Sequence, residues 1–150
     1  MAKMKKLLVA YDGSTHSKEA LDWAIDLSLL SGAQIIAVKV VEPLEVGQAY
    51  AMYEAGYAAE LIEQLAERRV SDTQLLQEAV DYATQKGGSI TSDLLEGNIA
   101  ATLIEYSKDK NVDMIITGTK GHGILEGLLM GSVTRNLVSL AHIPVLVVKD

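Results

Sequence analysis

The chain has 150 residues, which suits one domain with a sizeable core, and its 49% hydrophobic and 22% charged residues are typical of a globular protein. The formal net charge of −7 argues against a nucleic-acid scaffold, and the absence of cysteine excludes disulfides, thiol chemistry and thiolate metal sites. No apolar run approaches the ~20 residues of a membrane span, and the apolar part of the N-terminus is too short for a signal peptide, so we expect a cytoplasmic protein.

The first part of the chain alternates between strand-like and helix-like patterns. The apolar run 6–11 predicts a buried strand, and the turn residues Asp12-Gly-Ser end it. Apolar residues at helical spacing predict a helix over 15–31, which Gly32 stops. The run 34–41 is rich in β-formers and predicts the second strand.

The same alternation continues to the end of the chain. The segment 43–56 has no clear pattern, and a long apolar stripe then predicts a helix from about Tyr57 to Lys86. Asn98 is a natural N-cap for the next helix. The remaining predicted elements are strand 89–96, helix 98–109, strand 113–118, helix 131–141 and strand 144–149.

This order of elements predicts where a ligand would bind. Strands separated by helices imply crossover connections, and therefore a parallel sheet with both faces covered. Ligands of such sheets lie at the carboxyl ends of the strands, where strand order reverses. Asp12-Gly-Ser follows the first strand and a glycine-rich run follows the fourth, so the two segments face each other if these strands are neighbours.

The glycine-rich run has the chemistry of an anion site. Five of the twelve glycines lie within 118–131, directly before a predicted helix. Glycines allow backbone N–H groups to approach an anion closely, and a helix start adds unpaired N–H donors and partial positive charge. Lys120, His122 and Arg135 add positive charge. A flexible loop or a tight packing turn is the alternative. Neither a P-loop nor a GxGxxG fingerprint is present.

One fixed glycine spacing does match a known family. Gly118, Gly121 and Gly131-Ser132 reproduce G-2x-G-9x-G-[ST], the signature of the universal stress protein family. The stretches LLVAYDGSTHS, LLEGNIAATLIEYSKDKNVDMIITGTKG and LLMGSVTRNLVSLAHIPVLVVK resemble the same family, so the likeness covers nearly the whole chain. The resemblance implies one Rossmann-like α/β domain over 1–150: an open five-stranded parallel sheet of order 3-2-1-4-5, with helices on both faces and bound ATP, ADP or AMP.

The resemblance assigns the base and ribose to residues at the strand ends. Ala10 and Tyr11 resemble positions that line the pocket. Asp12 matches a carboxylate that could accept hydrogen bonds from the ribose or help to hold a divalent metal; a turn aspartate that bonds its own backbone is the alternative. Val40, or else Val41, matches the valine whose backbone reads the adenine edge, and a plain buried strand residue is its alternative.

The phosphates are assigned to the glycine-rich segment. Thr117 and Gly118 are expected beneath the adenosine. The expected phosphate cradle, built mainly from N–H groups and able to bring Mg²⁺ with the phosphates, consists of Gly121, Gly131, Ser132, Val133 and Thr134. Lys120 matches a basic position of the family, whereas His122 replaces a common arginine, and a solvated loop is the alternative for both. The three histidines match no common metal-binding spacing.

Three functions compete for this chain. A nucleotide-binding regulatory module would signal stress or adenylate levels through a protein partner. An enzyme would be a slow ATPase, a phosphotransferase or an adenylate hydrolase, but no base for activating water is evident, because Asp12 is expected at the ribose. We therefore favour binding, with at most weak ATPase activity. A structural stress protein without nucleotide remains if bulky residues fill the pocket.

Two further segments predict protein contacts. The apolar strand 144–149 is expected at the edge of the sheet, where it would pair with a second copy, and the resemblance also implies this homodimer. Tyr50, Tyr53 and Tyr57 recur at helical spacing, which most often packs on the protein's own sheet; a partner or dimer contact is the alternative. A solvated face of the long helix is indicated by Glu63, Glu67, Arg68 and Arg69.

Overall fold

A computed structural model of the protein describes residues 3–120 and 130–149, which form ten regular elements. In chain order these are β1 (Lys6–Ala10), α1 (Thr15–Ser31), β2 (Gln34–Val41), α2 (Val46–Glu54), α3 (Ala58–Gln85), β3 (Ile90–Glu96), α4 (Ile99–Asp109), β4 (Met114–Gly118), α5 (Ser132–Leu140) and β5 (Val145–Val148). In this part of the chain, no helix is both long enough and apolar enough to cross a membrane.

The five strands form one parallel sheet in the order β3-β2-β1-β4-β5. The predicted sheet is therefore confirmed, including the neighbouring positions of β1 and β4. Val9 of β1 is level with Ala37 of β2 on one side and with Ile116 of β4 on the other. The carboxyl ends of these three strands consequently meet at the centre of one edge.

The helices cover both faces of the sheet, and the alternation of side chains along β1 explains the division. Leu7 and Val9 point into a core shared with α1 and α3. Leu8, between them, points into the opposite core, which Leu103 of α4 and Leu137 of α5 complete. Because both faces of the inner strands β1, β2 and β4 are buried, their sequences are mostly apolar, whereas the edge strand β3 has no buried residue and carries polar side chains.

Capping residues fix the ends of two helices that matter for the site. The Ser14 side chain accepts a hydrogen bond from the Ser17 N–H at the start of α1, and Gly32 ends that helix with φ 79°. The Asn98 side chain accepts one from the Ala101 N–H at 3.0 Å, which confirms the predicted N-cap of α4.

The first half of α3 extends past the sheet. A helix of 28 residues is about 42 Å long, whereas the eight residues of β2 span about 26 Å. The buried residues of α3 begin only at Asp72 and continue through Leu76, Ala79 and Ala83. As the crossover helix between β2 and β3, α3 starts above the carboxyl edge, so its first half overhangs that edge.

The segment 43–56, for which no element was predicted, contains α2, which carries Tyr50 and Tyr53; Tyr57 precedes α3. No residue of α2 is buried, and Tyr50, Tyr53 and Tyr57 are all more than half exposed. The interpretation that this stripe packs on the sheet is therefore wrong. The reason is geometric: α2 precedes the overhanging half of α3, where there is no sheet surface to cover.

Candidate functional site

The carboxyl edge of the sheet contains a cleft of about 330 Å³ between β1, β2, β4 and the start of α5. This volume lies in the range of about 300–1,000 Å³ of small-molecule sites. Every predicted site residue in the described part of the chain lines it: Ala10, Tyr11, Asp12, Val40, Thr117, Gly118, Lys120, Gly131, Ser132, Val133 and Thr134. Gly121 and His122 lie outside the described residues. Val41, the alternative to Val40, lines a different cleft.

Asp12 serves the turn after β1 and also lines the cleft. Its Oδ1 accepts a hydrogen bond from the Ser14 N–H at 2.9 Å. This contact is the turn geometry that was the alternative to a ligand role. The turn and the ligand role are compatible, because a carboxylate has several acceptor positions on its two oxygens.

Gly118 permits the close approach of β4 and α1 beneath the cleft. A Cβ at this position would lie 2.7 Å from His16 Cβ and 2.9 Å from the His16 carbonyl oxygen. The Gly118 carbonyl accepts a hydrogen bond from the Thr134 hydroxyl at 2.8 Å. The Thr134 side chain thus attaches α5 to the end of β4, and its hydroxyl proton points to the Gly118 carbonyl.

The start of α5 presents backbone donors to the cleft. Gly131 is the N-cap in extended conformation, with φ −76°, and its own N–H bonds the Thr119 carbonyl at 2.8 Å. The N–H groups of Ser132, Val133 and Thr134 belong to the first turn, which has no preceding helical carbonyls to accept from them. With Lys120 nearby, these donors can bind an anionic group.

Six further residues of the described chain, to which the sequence had assigned no role in the site, also line the cleft: Ser17, Val38, Lys39, Arg68, Ile99 and Leu103. Val38 and Leu103 belong to the α4–α5 core and give the cleft an apolar wall beside Val40. This composition suits a flat apolar ring at the β2 side and an anion at the α5 side. The sequence had placed these residues only within predicted strands and helices, and it had placed Arg68 on a solvated helix face.

Lys39 and Arg68 bring positive charge to the β2 side of the cleft. The Lys39 ammonium pairs with the Asp72 carboxylate of α3 at 2.5 Å, and both side chains are largely buried. Arg68 lies one helical turn before Asp72. It is exposed as the sequence predicted, but it also lines the cleft, which was not expected.

Tyr11 contributes a neutral phenol. Burial, followed by the negative charges of Glu78 and Asp12, raises the pKa of its hydroxyl. Tyr11 therefore stays protonated at neutral pH and can donate a hydrogen bond. The residues in 3–120 and 130–149 include no group of three or more His, Asp or Glu side chains placed to hold a metal ion.

A parallel α/β sheet with such a cleft at its carboxyl edge belongs to the doubly wound class of ligand-binding folds. Within that class, the chain belongs to the universal stress protein family, whose model matches residues 3–149. Universal stress protein MJ0531 of Methanocaldococcus jannaschii is 33% identical over 145 residues, covering 97% of this chain and 82% of that protein.

Solved structures share the fold. The structure of protein MJ0577, used for assigning its biochemical function, has a TM-score of 0.79 at 25% identity and covers 99% of this chain and 98% of that one. A universal stress protein in complex with cAMP has a TM-score of 0.69 at 23% identity, with coverage of 99% and 98%. A family member from Arabidopsis thaliana with AMP bound has a TM-score of 0.62 at 19% identity, with coverage of 97% and 91%.

Proposed function

We propose that this protein binds an adenine nucleotide, ATP, ADP or AMP, and acts as a stress-response regulatory module. One observation carries the proposal: the residues that the family resemblance assigns to base, ribose and phosphates come from separate segments of the chain, yet they line a single cleft. The cAMP and AMP found in two proteins of the same fold support an adenine nucleotide as the ligand.

The cleft offers a distinct place for each part of the nucleotide. The adenine would lie on the apolar wall of Val38, Val40 and Leu103, where the Val40 backbone can read its edge. Asp12, at the end of the central strand, would accept hydrogen bonds from the ribose. The phosphates would bind the first turn of α5 and the Lys120 ammonium, where the helix start favours negative charge.

Binding explains these residues better than turnover does. Phosphoryl transfer needs an oriented nucleophile and charge neutralisation at the transferred group. The cleft supplies donors for phosphates, and Mg²⁺ would enter with them, but Asp12, as a ribose ligand, would not be available to activate water for attack on a phosphate. A purely structural role is disfavoured because the described side chains leave an open cleft. We further propose that the protein works in the cytoplasm as a homodimer and conveys its nucleotide state to a protein partner.

The test is the substitution Gly131→Asp. Gly131 has φ −76° and ψ 166°, a conformation open to any residue, so aspartate fits the backbone. Its carboxylate would occupy the position of the phosphate and would repel the phosphate charge. We expect binding of a fluorescent ATP analogue to be lost while the circular dichroism spectrum is unchanged.

Gly47→Asp is the matched control, because Gly47 lies in α2 with open space around it. It introduces the same charge on the same chain and should leave affinity unchanged. Mass spectrometry of small molecules released from the denatured wild-type protein provides a second measurement. Full binding by a folded Gly131→Asp variant would show that the phosphates bind elsewhere.

A further inference from the structure

Arg68 is the one residue of the overhanging half of α3, within the described chain, that lines the candidate nucleotide cleft. It also lines a second cleft of about 730 Å³ between α3 and the connection after β2, so it stands between the two. The neighbouring Arg69 lines only the second cleft. The two adjacent arginines therefore have different surroundings on the same helix.

The helical turn that carries Arg68 is fixed in position. Asp72, one turn further on, is buried and pairs with Lys39 of β2. Residues four apart lie on the same side of a helix, so Arg68 shares the sheet-facing side with Asp72. Because α3 runs down from above the carboxyl edge, Arg68 lies above the Lys39 level, at the mouth of the cleft.

The opposite wall of the cleft is apolar and comes from the other face of the sheet. Ile99 and Leu103 belong to α4, which packs on the core opposite to that of α3. The space at the β2 end is thus bounded by aliphatic side chains on one side and by Arg68 on the other. A planar aromatic ring is the ligand group that suits both, since guanidinium groups stack on aromatic faces.

We infer that the Arg68 guanidinium covers the outer face of the bound adenine and positions the base against Ile99 and Leu103. This inference rests on the proposed function and adds a specificity residue to it. A phosphate contact is the competing role for an arginine. The phosphate donors lie at α5 and Lys120, beyond β1 and β4 from the α3 side, so the position of Arg68 over β2 favours the base.

The two roles differ in how affinity depends on the ligand. Stacking on the base affects adenosine, AMP and ATP equally, whereas a phosphate contact affects ATP most and adenosine not at all. We expect Arg68→Ala to weaken binding of all three by about tenfold, as for loss of one stacking contact. Arg68→Lys should bind nearly as weakly as Arg68→Ala, because an ammonium group keeps the charge but lacks the planar guanidinium that stacks on the base.

The experiment is calorimetric titration of wild-type protein, Arg68→Ala, Arg68→Lys and Arg69→Ala with adenosine, AMP and ATP. Arg69→Ala removes the same charge one residue away and should bind as the wild type does. Unchanged affinity in Arg68→Ala, equal losses in Arg69→Ala, or a loss that grows with phosphate number would overturn the inference alone. A wild-type protein that binds none of the ligands would overturn the proposed function together with it.

Discussion

At the scale of single residues, Gly118 has a structural duty besides its place in the cleft. The backbone of β4 passes so close to the first turn of α1 that a methyl group would overlap His16. Two of the three nearest atoms are backbone atoms, which cannot rotate away. Packing therefore requires glycine at the first position of the family signature.

Gly118→Ala should accordingly destabilise the fold by about 1–3 kcal/mol, the usual cost of overpacking. Gly47→Ala is the control with opposite sign: Gly47 lies in the exposed helix α2 with open space around it, so alanine should stabilise by about 0.5–1 kcal/mol. Urea unfolding of the two variants measures both effects. A Gly118→Ala variant as stable as the wild type would mean that α1 can shift at no cost.

At the scale of elements, two tyrosine–aspartate hydrogen bonds join neighbouring elements. The Tyr82 hydroxyl of α3 donates to Asp22 of α1 at 2.5 Å, and the Tyr106 hydroxyl of α4 donates to Asp93 of β3. The hydrogen bond to Asp22, with desolvation, raises the pKa of Tyr82 from 10.0 to about 12. Burial and the bond to Asp93 raise the pKa of Tyr106 as well.

The Tyr82 bond predicts a loss of stability at high pH. Its folded pKa exceeds the unfolded value, so the folded state holds the proton more tightly; the contribution is complete below pH 10 and disappears as pH rises through about 12. We expect Asp22→Asn to lower the pKa of Tyr82 towards 10 in an absorbance titration of phenolate.

Asp26→Asn is the control for the Tyr82 titration, because Asp26 raises the pKa of Tyr82 only through its charge and does so less than Asp22. It should shift the pKa less than Asp22→Asn does. Equal shifts in the two variants would show that charge, and not the hydrogen bond, holds the proton.

The sequence predicted those elements whose position follows from a single periodicity. It did not predict the features that depend on tertiary geometry. The strands form the sheet, α1 packs on it along its whole length, and turn residues bound both. The apolar spacing therefore located these elements within a residue or two. The overhang of α3 depends on the difference in length between a helix and a strand. No local pattern contains that difference, so the exposure of α2 and the position of Arg68 were missed.

The candidate site was predictable for a related reason. Asp12 lies in the turn directly after the first strand, and Gly131 is a helix cap that belongs to the family signature. Lys39 and Leu103 entered the cleft only through packing of α3 and α4, and lysine on a strand or leucine on a helix carries no mark of a site. Turn and cap residues, which the sequence reveals, thus supply the backbone part of the site. The residues of its side walls depend on how the core packs, which the sequence does not reveal.

At the scale of the whole molecule, the sheet ends in two edges, β3 and β5. Within the described chain β5 pairs only with β4, and its residues Val145, Leu146 and Val147 are half-buried. An edge strand of this apolar character invites pairing with another chain. A two-fold axis beside β5 would pair it antiparallel with its copy and close the edge, which is the homodimer that we expect.

The hydrogen-bond pattern of β5 permits a selective test of this dimer. The Pro144 carbonyl accepts from the Ile115 N–H at 3.0 Å, so residue 144 points towards β4. Along a strand, successive residues direct their backbone N–H and C=O groups to opposite sides. Val147 therefore directs its N–H away from β4 and towards the open edge. Val147→Pro removes a donor that only a partner strand would use, and it spares the β4–β5 ladder.

We expect Val147→Pro to be a monomer in light scattering while its nucleotide affinity stays close to that of the wild type, because the cleft lies on the far side of β4. Val147→Thr keeps the N–H and the branched shape, and it should remain a dimer. Leu146→Pro would remove an inward donor and should destabilise the fold itself, which separates loss of pairing from loss of the strand. A wild-type monomer at tens of micromolar, or a dimeric Val147→Pro, would place the interface on another surface.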